Sequence, residues 1–202
     1  MSRAPASPYP FLLVVSGPSG AGKTSLARML LERDARFARA VTATTRAPRG
    51  DERHGVHYHF LDPATFEAGV EEGAFLEHAE VYGHRYGTPR ASVETVLAAG
   101  RLGLLVVDVQ GVRNLRAVLA GAPWPVHFVF VRTPDLATLE ARLAARGEDD
   151  AATIARRLEE ARVEEAEAPT FDLVVVNDDL ESAFGRLEEA VQGWTEAPPR
   201  AH

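Results

Sequence analysis

The chain of 202 residues contains no cysteine. Disulfide bonds, thiol catalysis and cysteine-based zinc sites are therefore excluded. Long apolar runs are also missing, since the longest, at 11–15 and 104–107, have the length of a strand and not of a membrane span. The first ten residues, MSRAPASPYP, hold no apolar core of signal-peptide length. These absences predict a cytoplasmic protein with no membrane partner.

Basic residues are in deficit, and lysine is almost absent. The chain has 22 Lys and Arg against 29 Asp and Glu, a formal net charge of −7 that disfavours a nucleic-acid partner. Only one of the 22 cations, Lys23, is a lysine. A sequence that otherwise uses arginine has kept lysine at this position, which indicates a role that the planar guanidinium fork cannot fill.

Lys23 lies in a glycine-rich segment, GPSGAGKT at 17–24, that matches the phosphate-loop pattern G-x-x-x-x-G-K-[ST]. The segment follows a buried apolar run and precedes a stretch with helical spacing, which is the context that the motif requires. Glycines let backbone N–H groups turn toward anionic oxygens, and the following helix adds its positive N-terminus. The predicted ATP-binding residues are Gly17, Pro18, Ser19, Gly20, Ala21, Gly22, Lys23 and Thr24, with the Thr24 hydroxyl offered to Mg²⁺.

The order of apolar runs predicts the fold. Strand-type runs at 11–16, 102–109, 125–132 and 171–177 alternate with helix-forming segments. This alternation predicts an α/β fold with a doubly wound parallel sheet, which is expected to be five-stranded, so that one strand lies outside these four runs. The order of segments differs between residues 41 and 89, where short strand-like pieces come before the first helix-forming segment of that region. A small mixed α+β insertion is therefore expected there.

Two arginines in the insertion are spaced for an anion. Arg46 and Arg49 stand three residues apart across a proline in TTRAPR, so both guanidinium groups can converge on one phosphate dianion. Solvated loop arginines are the alternative interpretation of this pair alone.

Glu77 follows in an apolar setting. An ionised carboxylate accepts hydrogen bonds and donates none. Guanine presents two adjacent donors, its N1–H and 2-amino group, whereas adenine presents an acceptor at N1. A buried carboxylate therefore favours guanine, and groups of this kind discriminate by a factor on the order of 10⁴.

Six segments occur in one order along the chain: GPSGAGKT, TTRAPR followed by HYHF, FLEHAEVYGHRYGT, DVQG, RLAARG and VVNDD. Together they resemble the guanylate kinase family from about residue 10 to residue 192. The resemblance implies a phosphate-loop nucleoside-monophosphate kinase that uses ATP, GMP and Mg²⁺, with a core, a GMP-binding region and a helical lid. The expected division is a tail at 1–10, a domain at 11–193 and a tail at 194–202. The domain comprises a core at 11–40, 90–133 and 168–193, a GMP-binding region at 41–89 and a lid at 134–167.

The resemblance also implies residue roles. The GMP-binding residues would be Thr42, Arg46, Arg49, Tyr58, Glu77, Tyr86, Thr88 and Asp108. Lys23, Arg142, Arg146 and Arg157 would act on the transferring phosphates, and Asn177 would lie near the adenine of ATP. One position departs from the family pattern: Val106 stands where many members have the first acid of Asp-x-Asp, so Asp108 is left to serve either Mg²⁺ or guanine.

No general base stands near these motifs, and none is needed. The acceptor phosphate has a second pKa of about 6 and is already largely a dianion at neutral pH.

Two alternatives to a guanylate kinase stay open at this point: a related kinase acting on a phosphorylated sugar, and a non-catalytic binding module of guanylate-kinase type. The acidic run at 159–167 is interpreted as a solvated helix face.

Overall fold

The computed structural model describes residues 7, 9–81, 83–145, 147 and 150–196. Labels follow chain order. The strands in these ranges are β1 (Leu12–Ser16), β2 (Phe37–Arg39), β3 (Ala43–Thr44), β4 (His59–Phe60), β5 (Phe75–Val81), β6 (His84–Pro89), β7 (Leu102–Val106), β8 (Val126–Arg132) and β9 (Leu173–Val176).

The helices in the same ranges are α1 (Lys23–Arg33), α2 (Pro63–Glu71), α3 (Arg90–Ala98), α4 (Val109–Leu119), α5 (Leu136–Ala145), α6 (Ala151–Glu165) and α7 (Leu180–Glu196). A single 3₁₀ turn precedes β9 at Ala168–Thr170. No helix within this described part of the chain is long and apolar enough to cross a bilayer.

Five parallel strands form the core sheet, in the order β2-β7-β1-β8-β9. The central strand β1 is buried along its whole length, which is why it is a continuous apolar run. Alternate residues of β1 face opposite layers. Leu13 packs in one cluster with Leu26 of α1 and Leu187 of α7, and Leu12 packs in the other with Leu115 of α4. Helices cover both faces, so the predicted doubly wound sheet is confirmed.

The insertion forms a second sheet of four strands, in the order β4-β3-β6-β5. Strands β3 and β4 are parallel, and the other two pairs are antiparallel. Helix α2 packs against this sheet through Phe66, whose ring stacks on Phe75 at 4.6 Å between centroids. Asp62 caps α2 by accepting the Thr65 N–H at 2.9 Å. The region is therefore a small mixed unit beside the core.

Three element boundaries differ from the predicted ones. The fifth core strand, β2, was not among the apolar runs because it has three residues and only Phe37 is buried. Helix α1 begins at Lys23, directly after the loop glycines, and not at residue 25. Strand β7 ends at Val106 because Asp108 caps α4, accepting the Gly111 N–H at 2.7 Å.

Both expected tails include anchored residues. Ser7 is buried and its N–H donates to the Gly100 carbonyl at 2.8 Å, so this residue of the expected tail is held against the rest of the chain. Helix α7 continues to Glu196, three residues past the expected boundary at 193. The reason is Trp194, whose ring stacks on His127 of β8 at 4.2 Å between centroids. The stacking of this half-buried aromatic pair extends the helix.

Candidate active site

The phosphate loop joins β1 to α1 with backbone that favours glycine. Gly17, Gly20 and Gly22 have φ values of 127°, 92° and 101°, in the left-handed region. A Cβ on Gly17 would lie 2.1 Å from the carbonyl oxygen of Val131. The Lys23 ammonium lies across the loop and donates to the Gly17 and Pro18 carbonyls at 2.5 and 2.8 Å. The loop therefore has the conformation that the motif predicts.

Asn177 directly follows β9, which lies two strands from β1 in the sheet, and its side chain contacts the loop. Its buried side-chain amide donates to the Ala21 carbonyl at 2.7 Å. A Cβ on Gly22 would lie 2.1 Å from the same amide nitrogen, so the glycine is needed for the contact. The side chain of Asn177 is thus committed to the loop, while its predicted proximity to adenine stays a prediction.

Two arginines of the helical segment reach the loop region. Arg142 of α5 donates to the Asn177 carbonyl at 2.9 Å, and Arg157 of α6 donates to the Ser19 hydroxyl at 3.2 Å. The third predicted arginine, Arg146, lies outside the described residues. Helix α5 also packs Leu139 and Leu143 against Gly20. Positive charge from α5 and α6 is therefore held beside the loop.

One cavity of about 250 Å³ connects the loop to the insertion. Its wall combines the start of α1, the strands of the small sheet and the end of β7. It brings together seven of the residues predicted for donor and acceptor, namely Lys23, Thr24, Thr42, Tyr58, Glu77, Tyr86 and Asp108, with Val106 beside them.

Glu77 supplies an unusual carboxylate to this cavity. It lies on β5 with only 8% of its surface exposed and accepts the Thr88 hydroxyl proton at 2.6 Å from the adjacent strand β6. Burial raises its pKa to about 7, and the negative charge of Asp108 adds to this, while the Thr88 hydrogen bond opposes it. A Cβ on Gly111 would lie 3.2 Å from Asp108 and 3.4 Å from Glu77, so the two carboxylates meet at the start of α4.

The two arginines of TTRAPR are placed differently. Arg46 is buried, and its guanidinium carbon lies 5.6 Å from the centroid of the Tyr58 ring. The Tyr86 ring contacts Tyr58 edge-on at 6.2 Å between centroids. Arg49 is exposed and lines a separate open depression with Glu52 and His57. The structure thus brings Arg46 to the two tyrosines, while the contact of Arg49 with this group stays a prediction.

A family model described as guanylate kinase matches residues 9–193. The chain belongs to the guanylate kinase family.

Relatives and a solved structure agree with this membership. The guanylate kinase of Chromohalobacter salexigens is 45% identical over 189 residues, which cover 94% of this chain and 86% of that protein. The guanylate kinase of Anaeromyxobacter dehalogenans is 50% identical over 184 residues, which cover 90% of this chain and 79% of that protein. The crystal structure of guanylate kinase from Anaplasma phagocytophilum has a TM-score of 0.74 at 28% identity, covering 97% of this chain and 90% of that one.

The predicted resemblance and enzyme class are therefore confirmed: the chain is a nucleoside-monophosphate kinase of the guanylate kinase family. None of these comparisons favours the sugar-phosphate kinase or the non-catalytic module.

Sequence reasoning missed Glu52. Both of its carboxylate oxygens accept from the Arg46 guanidinium, at 3.0 and 2.9 Å, and one also accepts the Arg49 N–H at 2.8 Å. Burial acts to raise the pKa of Glu52, but the Arg49 and Arg46 donors hold it below its ordinary value. The available signal was the spacing, because an acid three residues after the second arginine can fold back on both.

The interpretation of the acidic run as a solvated face is wrong at three positions, Glu164, Glu165 and Glu167. Glu164 and Glu165 of α6 are half-buried, while most of their neighbours are exposed. Burial raises the pKa of Glu164. The positive charge of Lys23 lowers this pKa, and the negative charge of Asp108 raises it further. Glu165 pairs with Arg132 at the end of β8, at 3.4 Å. These two carboxylates of the last turn of α6 are therefore not part of a fully solvated face.

The donor set of the cavity fits a magnesium ion held mainly by substrate. Thr24 offers a hydroxyl oxygen and Asp108 a carboxylate, but one Asp108 oxygen already accepts the Gly111 N–H. In the described ranges no three His, Cys, Asp or Glu side chains gather as a metal site. Mg²⁺ usually keeps several waters and binds through few carboxylates and the phosphates of its substrate. The guanylate kinase fold thus provides a sparse protein shell here.

Proposed function

We propose that the protein transfers the γ-phosphoryl group of ATP to GMP and releases ADP and GDP. The observation that carries this proposal is the buried Glu77 carboxylate, which lines the same cavity as Lys23. Glu77 can accept the N1–H and the 2-amino group of guanine, whereas adenine would place an acceptor against it. The base is thereby selected next to the loop that binds the phosphates.

On the donor side, the loop at 17–24 holds the ATP phosphates through backbone N–H groups and the Lys23 ammonium. Arg142 and Arg157 already contact the loop region and supply charge to the transferring group, and we propose the same role for Arg146. Asn177 holds the loop and borders the adenine. Mg²⁺, when bound, neutralises charge on the phosphates of ATP, with Thr24 as its main protein ligand.

On the acceptor side, Arg46, Arg49, Tyr58 and Tyr86 hold the GMP phosphate, and Thr42, Thr88 and Asp108 support Glu77 around the base. The Thr88 hydroxyl keeps one Glu77 oxygen in place. Asp108 caps α4 and stands beside Glu77, which favours the guanine role for this acid over a metal role.

The reaction needs no proton transfer to begin. An oxygen of the GMP phosphate forms a bond to the γ-phosphorus as the bond from that phosphorus to the β–γ bridging oxygen breaks. Lys23 and the arginines balance the charge on the phosphoryl oxygens, and positioning supplies much of the rate enhancement. The lid at 134–167 excludes water, which would otherwise accept the phosphoryl group. Because the substrates are ATP and GMP, we place the reaction in the cytoplasm.

A coupled assay of ADP formation with GMP, dGMP, AMP, CMP and UMP tests this function. We expect GMP to be strongly preferred over AMP. Glu77→Gln should remove most of this preference, because the amide places a donor against guanine N1–H. Glu80→Gln is the matched control, since Glu80 is an exposed acid on the same strand. Lys23→Ala should abolish turnover of every acceptor.

Turnover of AMP at the rate of GMP by the unchanged protein would contradict the proposed substrate. Equal selectivity of Glu77→Gln and the unchanged protein would contradict the role of Glu77. Full activity of Lys23→Ala would contradict the donor site.

A further inference from the structure

Arg39 is a cation of the core sheet that reaches the acceptor region from outside the motifs. It is the last residue of β2, the edge strand that pairs with β7. Its guanidinium carbon lies 6.0 Å from the centroid of the Tyr58 ring, and that of Arg46 lies 5.6 Å from the same ring. Tyr58 therefore has two guanidinium groups in cation–π range.

Arg46 and Arg39 differ in whether a carboxylate neutralises the charge of the guanidinium group. Arg46 pairs with Glu52 at 2.9 Å. Arg39 forms no ion pair with any of the described residues. It is half-buried, so its charge is screened less than that of a fully exposed side chain. An uncompensated charge in such a place is available to an anion.

The topology places Arg39 at the edge of the sheet where ligands bind. In open parallel sheets, ligands lie beyond the carboxyl ends of the strands. Arg39 ends β2 in register with Leu104 of β7, two residues before Val106 lines the cavity. Arg39 is not one of the described residues that line the cavity. It can therefore act on the site only through Tyr58, which does line the cavity. Burial raises the pKa of Tyr58, and the charge of Arg39 opposes this more strongly than that of Arg46.

We propose that Arg39 is a positioning residue of the acceptor-phosphate site, which fixes the Tyr58 ring and adds a positive charge behind it for the phosphate of the acceptor. The inference rests on the proposed function, because it takes the acceptor to be a nucleoside monophosphate. It adds a residue of the core sheet to a site otherwise built from the insertion.

The test separates charge from packing. Arg39→Met keeps most of the side-chain length without the charge, and Arg39→Lys keeps the charge without the planar fork. Arg90→Met is the control, because Arg90 is exposed at the start of α3. The measurements are the dissociation constants of GMP and guanosine by calorimetry at low and high KCl, and the KM for ATP.

For Arg39→Met we expect the affinity for GMP to fall about tenfold at low salt, because one positive charge near the phosphate is lost. At high salt the affinity should fall less, because salt screens this charge. Guanosine lacks the phosphate, so its affinity should change less than about twofold, as should the KM for ATP. Arg39→Lys should recover most of the GMP affinity. The Arg90→Met control should match the unchanged protein.

Equal GMP affinity of Arg39→Met and the unchanged protein would refute the inference. Parallel losses for GMP and guanosine, or failure of Arg39→Lys to recover affinity, would show a structural role instead and also refute it. These results are distinct from failure of the proposed function, in which the unchanged protein itself would not prefer GMP over AMP.

Discussion

At the scale of single residues, Glu77 carries the most information about chemistry. Its carboxylate is buried, contacts Thr88 and stands beside Asp108, so the free protein holds it near the midpoint of its titration at neutral pH. Guanine N1–H and the 2-amino group require the ionised form as acceptor. Acceptor binding should therefore depend on pH in a range where ordinary glutamates do not titrate.

We predict that the affinity for guanosine falls as the pH decreases through about 7, the pKa of Glu77. Below this pKa each pH unit should cost about tenfold in affinity, because the protonated carboxyl must first lose its proton. Guanosine is the suitable ligand, since the phosphate of GMP titrates near pH 6 and would confuse the profile.

Thr88→Val should shift the midpoint of this profile upward, because it removes the hydrogen bond that lowers the Glu77 pKa. A flat profile between pH 6 and 8 would show that Glu77 does not read the base. Calorimetric titration at each pH is the measurement.

At the scale of elements, the strand–loop–helix unit of β1 and α1 depends on backbone that other residues cannot adopt. Gly17 combines a φ of 127° with direct contact to the Val131 carbonyl of β8. Val131 lies on the strand next to β1, so the start of the loop is pressed against the core sheet. The loop geometry is therefore coupled to the packing of two strands.

Gly17→Ala should reduce both stability and ATP binding. Its Cβ would lie 2.1 Å from a backbone oxygen, so the loop must move away from the sheet. We expect a loss of about 2 kcal/mol or more in the free energy of unfolding and a large rise in the KM for ATP. Gly121→Ala is the control, because nothing lies within 4 Å of its Cβ position and its backbone is not left-handed.

Denaturant unfolding and steady-state kinetics measure these two effects. If Gly17→Ala behaved like Gly121→Ala in both, the loop would tolerate displacement and its geometry would not depend on β8.

At the scale of the whole molecule, two titratable groups, the buried Glu77 and the half-buried His127, have opposite effects on stability between acid and neutral pH. The pKa of Glu77 rises on folding from 4.5 to about 7, so ionising it costs the folded state stability as the pH rises through this window. Burial lowers the pKa of His127 below 6.5, although Asp172 opposes this. The contribution of His127 is thus present above 6.5 and is lost as the pH falls toward the folded pKa.

Glu77→Gln should therefore stabilise the protein at pH 8 by up to about 3 kcal/mol, while leaving the stability at pH 4.5 nearly unchanged. The amide keeps the size of the side chain, and its oxygen can still accept from Thr88. His127→Phe should instead remove the loss of stability below pH 6.5, because a phenyl ring can stack on Trp194 without taking up a proton.

Urea unfolding followed by Trp fluorescence at several pH values provides both profiles. Equal pH dependence of Glu77→Gln and the unchanged protein would contradict the first effect, and equal dependence of His127→Phe would contradict the second. If Glu77→Gln gained stability and lost acceptor selectivity, the buried carboxylate would be shown to lower the stability of the fold in return for selective binding.

Local sequence by itself determined the phosphate loop, the doubly wound sheet and the capped helix α2. These features depend on glycine conformations, strand-length apolar runs and a capping Asp62, all of which act over a few neighbouring residues. The guanylate kinase resemblance also came from linear motifs, and the family membership confirmed it.

Only the tertiary structure decided which polar groups meet. Asp108 beside Glu77 and Arg39 on Tyr58 join segments whose order in the chain does not indicate their contact. Strand β2 is too short to be recognised before its pairing with β7 is known. The reason is physical: burial, pKa and ion pairing depend on what packs around a group, and that environment comes from distant parts of the chain.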